Sequence, residues 1–213
     1  GNIIGGEPPG ERNIISGNDL SDTETGIFFC LSNNSNNFIL NNNISNNRDG
    51  LRLHYSNNNN IISGNIINSN LQQGLFLARC NNNAIMNNML YSNIWNGVYI
   101  ESSHNINISN NLINSNQQQG AKIWNSTNNT ISNNTIISNK ENGIDLFLSD
   151  FNTISTNDLR FNFRGINLIE SNNVGIIKNI MQDNIESVYQ KFCKSNTIGY
   201  NNFINNQKDP TFK

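Results

Sequence analysis

Apolar and polar positions along the chain recur with one step. The stretches "GLRLHYS" at 50–56, "GLFLARC" at 74–80, "GVYIESS" at 97–103, "GAKIWNS" at 120–126 and "GINLIES" at 165–171 each open on a glycine followed by apolar-x-apolar, as does "GIDLFLSD" at 143–150. The glycines Gly26, Gly50, Gly74, Gly97, Gly120, Gly143 and Gly165 are 24, 24, 23, 23, 23 and 22 residues apart, and Ser187 follows 22 further on. Ile15, Ile39, Ile62, Ile85, Ile108, Ile131, Ile154, Ile176 and Ile198 keep the same step. Two independent series in one register define a repeat, and a period of this length marks a solenoid.

Each coil divides into three short extended pieces. The first is the glycine-led strand, whose alternation has the period of two expected of a half-buried strand. The other two carry I-x-x-N-x-[ILMF], as in Ile108 to Ile113. None is long enough for a helix, and β-branched isoleucine favours strand. The pieces end at Gly, Asn or Ser, the residues that turn a chain.

Three polar columns run down the repeat. One is Asn18, Asn42, Asn65, Asn88, Asn111, Asn134, Asn157, Asn179 and Asn201; a second is Asn47, Asn70, Asn93, Asn116, Asn139, Asn162 and Asn184. The third is Ser32, Ser56, Cys80, Ser103, Ser126, Ser149, Ser171 and Cys193. Asparagine tolerates left-handed backbone at a bend, and stacked amides hydrogen-bond to their copies one rung away. The expected fold is therefore an all-β parallel β-helix of about nine coils, one domain over residues 1–213, roughly 40 Å long at the strand spacing. Its opening on "GNIIGG" reads as a piece of a longer protein.

Composition narrows the function classes. Asparagine makes up about a quarter of the chain, and the formal net charge is −2 with 13% charged residues. Disorder, the usual reading of such a polar tract, conflicts with the strict register. No basic footprint for nucleic acid exists, and no apolar run is long enough to insert in a membrane. Cys30, Cys80 and Cys193 lie far apart without metal-ligand spacing, and two of them fill the serine column. His54, His104 and the three methionines do not cluster, so neither a metal nor another cofactor is expected.

The coil pattern G-h-x-h…N-x-I-x-x-N-x-h-x-x-N, with h apolar, resembles the right-handed parallel β-helix repeat of NosD-like proteins and of carbohydrate-binding/sugar-hydrolase domains in the pectate-lyase-like superfamily. The ending "IGYNNFINN" at 198–206 is similar to the last coil of many NosD-like proteins, and "NIIGGEPPGERNIISGN" at 2–18 resembles a motif of large secreted β-helix proteins. This resemblance implies the right hand of the helix, an extracellular or cell-surface location and a polysaccharide or glycan partner. The oligomeric state is left open.

Chemistry is sought on the outward positions of the glycine-led strands. The first outward column reads Phe28, Arg52, Phe76, Tyr99, Lys122, Asp145, Asn167 and Tyr189. The second reads Cys30, His54, Ala78, Glu101, Trp124, Phe147, Ile169 and Lys191. Aromatic faces stack on sugar rings and charged neighbours fix hydroxyls or uronates. A carbohydrate-binding face of Arg52, His54, Phe76, Tyr99, Glu101, Lys122, Trp124, Asp145 and Phe147 is expected. The alternative is a lyase, C5-epimerase or glycoside hydrolase using Tyr99, Glu101, Lys122 and Asp145, with Tyr or Lys as base or the two carboxylates as a glycosidase pair. A structural spacer is the third reading. Mannuronan C5-epimerases of similar fold carry Gly-Ile-Asp-Pro-His-Asp on this strand. Gly143, Ile144 and Asp145 match, whereas Leu146, Phe147 and Leu148 stand at the Pro-His-Asp positions. That departure makes Asp145 a groove or surface rung, and without catalysis Lys122 and Asp145 are expected to form a cross-strand ion pair of little energetic value.

Overall fold

The computed structural model describes residues 1–6, 12–18, 25–30, 35–55 and 58–213. Their regular structure is all strand, in three parallel nine-stranded sheets. The first sheet runs from Ile3–Gly5 to Thr197–Gly199, the second from Ile14–Ser16 to Asn202–Ile204, and the third from Thr25–Cys30 to Thr211–Phe212. In each sheet the strand order advances by three, so the chain visits the sheets in turn and climbs one rung per coil. This is the parallel β-helix that the repeat requires, and the glycine-led strands form its third sheet.

Identical residues stack because adjacent coils are paired in register. Ile85, Ile108, Ile131 and Ile154 are direct partners along the first sheet, and all are fully buried. Leu90, Ile113, Ile136 and Leu159 do the same in the second. The third sheet turns two apolar residues inward per strand, such as Val98 and Ile100 over Ala121 and Ile123. Each full burial of a Leu or Ile removes enough apolar surface from water to stabilise the rod by about 1.5–3 kcal/mol. The leading glycine is required by close approach: a Cβ at Gly120 would lie 2.5 Å from Ile136 Cγ2 and 2.7 Å from the Gly143 carbonyl oxygen.

The polar columns are hydrogen-bonded ladders. Asn88 donates its backbone N–H to Asn111 Oδ1 at 2.9 Å, and Asn111 donates in turn to Asn134 Oδ1 at 2.9 Å. The column from Asn47 continues to Asn206 in the same way. In the third, Ser103 N–H reaches Ser126 Oγ at 3.0 Å and Ser171 N–H reaches Cys193 Sγ at 3.5 Å. Ser32, Ser56 and the Cys30 side chain lie outside the described residues. A fourth ladder joins Asn37, Asn60 and Asn83, then Asn129 and Asn152. The sequence reading missed it because Ile106 and Val174 interrupt the column.

Two expectations are corrected. Ile39 pairs with Ile4, while Ile15 pairs with Ile44 in the second sheet. Asn18 accordingly donates to Asn47 Oδ1, and Asn13 takes the place opposite Asn42. The first coil is longer, with Asn2 bonded to Asn37 across 35 residues. Its "IIS" triplet fits either sheet, so the step alone assigned it one strand out of place. The second correction concerns the bends. Positive φ falls one residue before the ladder amide, at Asn87, Asn110 and Asn133 instead of Asn88, Asn111 and Asn134. The left-handed residue turns the chain, and the next residue then points inward to the ladder. In the upper coils such slots hold Leu148, Phe151, Phe161, Phe192 and Tyr200, where left-handed backbone costs about 1–2 kcal/mol per residue.

Candidate functional site on the third sheet

The third sheet brings both outward columns into register. Arg52 lies beside Phe76, Phe76 beside Tyr99, Tyr99 beside Lys122 and Lys122 beside Asp145. In the second column His54 is followed by Ala78, Glu101, Trp124 and Phe147. All nine residues expected on the binding face thus share one sheet, although they divide into two environments.

The lower part is a cation–aromatic stack. The Arg52 guanidinium carbon lies 6.0 Å from the Phe28 ring centroid and 4.7 Å from that of Phe76. Phe76 and Tyr99 stack at 4.9 Å and 13°, and Lys122 Nζ sits 5.4 Å from the Tyr99 centroid. Phe76 is only 8% exposed. Tyr99 meets a neighbour on each side, so neither ring offers a free face to a ligand. This arrangement corrects the expectation that these positions all face solvent. Burial and, after it, the Glu101 carboxylate push the Tyr99 phenol well above its usual range, which holds it protonated. Arg52 also pairs with the buried Asp49 at 3.3 Å. Burial, then Arg52 and Arg79, hold His54 below the usual imidazole value, and its ring contacts Tyr55 at 4.2 Å.

The upper part is a hollow. Lys122, Trp124, Asp145, Phe147 and Ile169 line a cavity of about 320 Å³. Trp124, 38% exposed, is the aromatic rung that remains open there. Asp145 is 8% exposed, so of the two expected positions it takes the groove and not the open surface. Its Oδ1 accepts hydrogen bonds from Asn167 Nδ2 and, at 3.2 Å, from Asn142 Nδ2. Burial pushes its carboxyl above the usual range, and the bond from Asn167, the Lys122 charge, the Asn142 bond and Arg164 oppose that shift. The expected Lys122–Asp145 ion pair is not formed: among the described residues the pairs within 4.0 Å are Arg52–Asp49, Arg160–Asp158 and Arg164–Glu186.

A third column at the edge of this face was not read from the sequence. It consists of the residue before each glycine, including Asp49, Gln73, Asn96, Gln119, Asn142 and Arg164, and of Glu186 before Ser187. Its members reach across to the first outward column three residues on: Asp49 to Arg52, Asn142 to Asp145, and Arg164 Nη1 to Asn167 Oδ1 at 3.1 Å. The signal was present as an unbroken polar run one place ahead of the glycines. A larger groove of about 810 Å³ adjoins the hollow at the corner towards the first sheet, lined by residues that include Leu148, Asp150, Glu170, Phe192 and Lys194.

The three sheets define a parallel β-helix repeat protein. The chain belongs to the NosD family, described as "Periplasmic copper-binding protein (NosD)", whose model matches residues 9–143 and again 91–212. Comparison with curated protein sequences finds no match. Among solved structures, a mutant of the periplasmic alginate epimerase AlgG has a TM-score of 0.71 at 20% identity, covering 83% of this chain and 49% of that one. The Azotobacter vinelandii mannuronan C-5 epimerase AlgE6 A-module has a TM-score of 0.70 at 14% identity, covering 84% and 63%. DFA-IIIase from Arthrobacter chlorophenolicus A6 has a TM-score of 0.66 at 11% identity, covering 88% and 54%. These likenesses establish the fold, and the chain spans about half to two-thirds of the length of each neighbour.

The family description names copper, and the donor set here does not fit it. Among the described residues no group of three or more His, Cys, Asp or Glu is placed to hold a metal ion. His54 stands on the third sheet and His104 in a corner with Nδ1 2.9 Å from Thr127 Oγ1. Cys80 and Cys193 occupy ladder positions on distant coils. Copper selects clustered imidazole and sulfur ligands, which the described residues do not gather.

Proposed function

We propose that the outer face of the third sheet binds carbohydrate and that the protein works outside the cytoplasm, in the periplasm or at the cell surface. The observation that carries this reading is the hollow of about 320 Å³, in which exposed Trp124 stands between Lys122, Asp145, Phe147 and Ile169. Small-ligand sites combine mostly apolar and aromatic walls with a few placed polar groups, and a sugar ring presents an apolar face to an indole and hydroxyls to charged neighbours. The fold also recurs in proteins named as epimerases of alginate and of mannuronan.

Catalysis by Tyr99, Glu101, Lys122 and Asp145 is the weaker reading. Tyr99 is capped on both sides and its phenol resists ionisation, which makes it a poor base at neutral pH. Glu101 and Asp145 are two rungs apart, about 10 Å along the rod, beyond the separation of a retaining pair. A glycan array followed by calorimetry tests the binding reading. Trp124→Ala abolishes binding in this account, while Phe151→Ala, beyond the corner, leaves it intact. Equal binding by both variants would leave the spacer reading in its place. Reducing-sugar release or new double-bond absorbance from the bound glycan would establish catalysis instead.

A further inference from the structure

The column Trp124, Phe147, Ile169 is followed, one residue on, by the left-handed column Asn125, Leu148 and Glu170, with φ of 48°, 51° and 48°, and Phe192 continues it at 56°. Lower in the rod this slot holds Tyr55, Arg79 and Ser102, and Asn125 tolerates it well. Leu148 and Phe192 do not, because a bulky side chain at positive φ is strained. They are also 43% and 66% exposed. Two penalties, backbone strain and apolar surface left in water, therefore fall on the same residues. Neither helps the rod stand. Together with Asn125, Asp150, Glu170, Asn172 and Lys194 they line the groove of about 810 Å³. The two hollows share no lining residue but are neighbours along the chain, since Asn125 follows Trp124, Leu148 follows Phe147 and Glu170 follows Ile169.

We infer that a single neutral glycan chain occupies both hollows, crossing the corner transverse to the rod axis, with Trp124 and Phe192 as its two platforms. The inference rests on the carbohydrate reading and adds the direction, the extent and the charge class of the ligand. The step from each lining residue of one hollow to its chain neighbour in the other sets the direction. Charge sets the class: with Asp145 buried and bonded to Asn142 and Asn167, the lining sets Asp150 and Glu170 against Lys122 and Lys194, with no surplus of cations to hold a polyanion. A polyuronate would bring a row of carboxylates to a lining whose two lysines are already matched by Asp150 and Glu170. A neutral chain brings hydroxyl donors, which carboxylate and amide oxygens accept; Asp150 Oδ1 already accepts from Asn172 N at 2.6 Å and Nδ2 at 3.1 Å.

The test uses neutral oligosaccharides of glucose, mannose, galactose and fructose, from single units to hexamers, with oligogalacturonate as the acidic arm. Phe192→Asn and Leu148→Asn install the residue that the column already holds at Asn125. Phe192→Asn weakens hexamer binding by roughly tenfold, leaves monosaccharide binding unchanged, and does not lower the melting temperature. A merely structural role would move stability and leave affinity alone. Unchanged hexamer affinity in both variants, with Trp124→Ala still abolishing binding, overturns the corner crossing and leaves the face reading standing. Loss of no affinity in Trp124→Ala sinks the face reading itself. Tighter binding of oligogalacturonate than of every neutral hexamer, or no neutral probe bound at all, overturns the charge class.

Discussion

Replacing Asn111 by leucine removes one rung of a buried ladder while keeping nearly the same volume. The Asn111 side chain accepts from Asn88 N at 2.9 Å and from Asn88 Nδ2 at 3.0 Å. It donates to Ile85 O at 2.9 Å, Ser109 O at 3.0 Å and Asn134 Oδ1 at 3.0 Å. Some partners have a second bond, since Asn88 Nδ2 also reaches Ile62 O at 2.9 Å and Asn134 Oδ1 still receives the Asn111 backbone N–H. The Asn88 backbone N–H loses its side-chain acceptor outright. With each stranded buried group costing about 1–3 kcal/mol, one to two such groups give a destabilisation of about 1–6 kcal/mol. The control is Asn110→Gly. Asn110 is exposed with φ of 57°, a conformation glycine adopts freely, so this change stays within about 1 kcal/mol. Leucine at position 110 would be a poor control because it adds left-handed strain. Urea denaturation compares the variants, and because repeat arrays do not always unfold in one step, amide exchange at Asn88 supplies a local readout. Equal unfolding midpoints for the two variants, or an Asn88 amide that stays as protected as in the parent, would refute the ladder's energetic role.

Ile131→Ala, in the middle of the first-sheet stack and fully buried, costs about 2–5 kcal/mol; an unchanged melting midpoint would contradict its inward placement. Gly120→Ala forces a Cβ against Ile136 Cγ2 and the Gly143 carbonyl oxygen, and it lowers the melting temperature, whereas Gly199→Ala, with nothing within 4 Å, leaves it unchanged. Asp145 binds its proton more tightly in the folded than in the unfolded chain. Its contribution therefore favours folding at acid pH and diminishes as pH rises through the carboxylate range. The stability advantage of Asp145→Asn over the parent accordingly grows between about pH 3 and pH 7, and an advantage that shrinks over that range would mean the carboxylate form is the favoured one.

The rod was legible because its stabilising contacts repeat at one interval. Ile108 sits on Ile85 and under Ile131 for the same reason that the three are 23 residues apart in the chain. Where the interval changes, as between Asn2 and Asn37, that logic loses the register, and Ile15 was assigned to the wrong sheet. The outward columns of the third sheet were equally legible, since alternation fixes which side chains point outward. Their availability was not. Phe76 and Tyr99 cover each other, and Asp145 is sealed by Asn142 and Asn167, because of ring and amide contacts between coils that depend on side-chain reach instead of spacing. The corner groove escaped notice for another reason: left-handed backbone at Leu148 and Phe192 runs against the preference of those residues, so nothing local announces it.

The central claim is that ligand binds on the third sheet, and amide chemical shifts observed during titration with the tightest glycan from an array test it residue by residue. The account predicts shifts concentrated at Ala121–Trp124 and Ile144–Phe147, extending to Leu148 and Phe192. Shifts confined to the first or second sheet, or none with any glycan on the array, would contradict it.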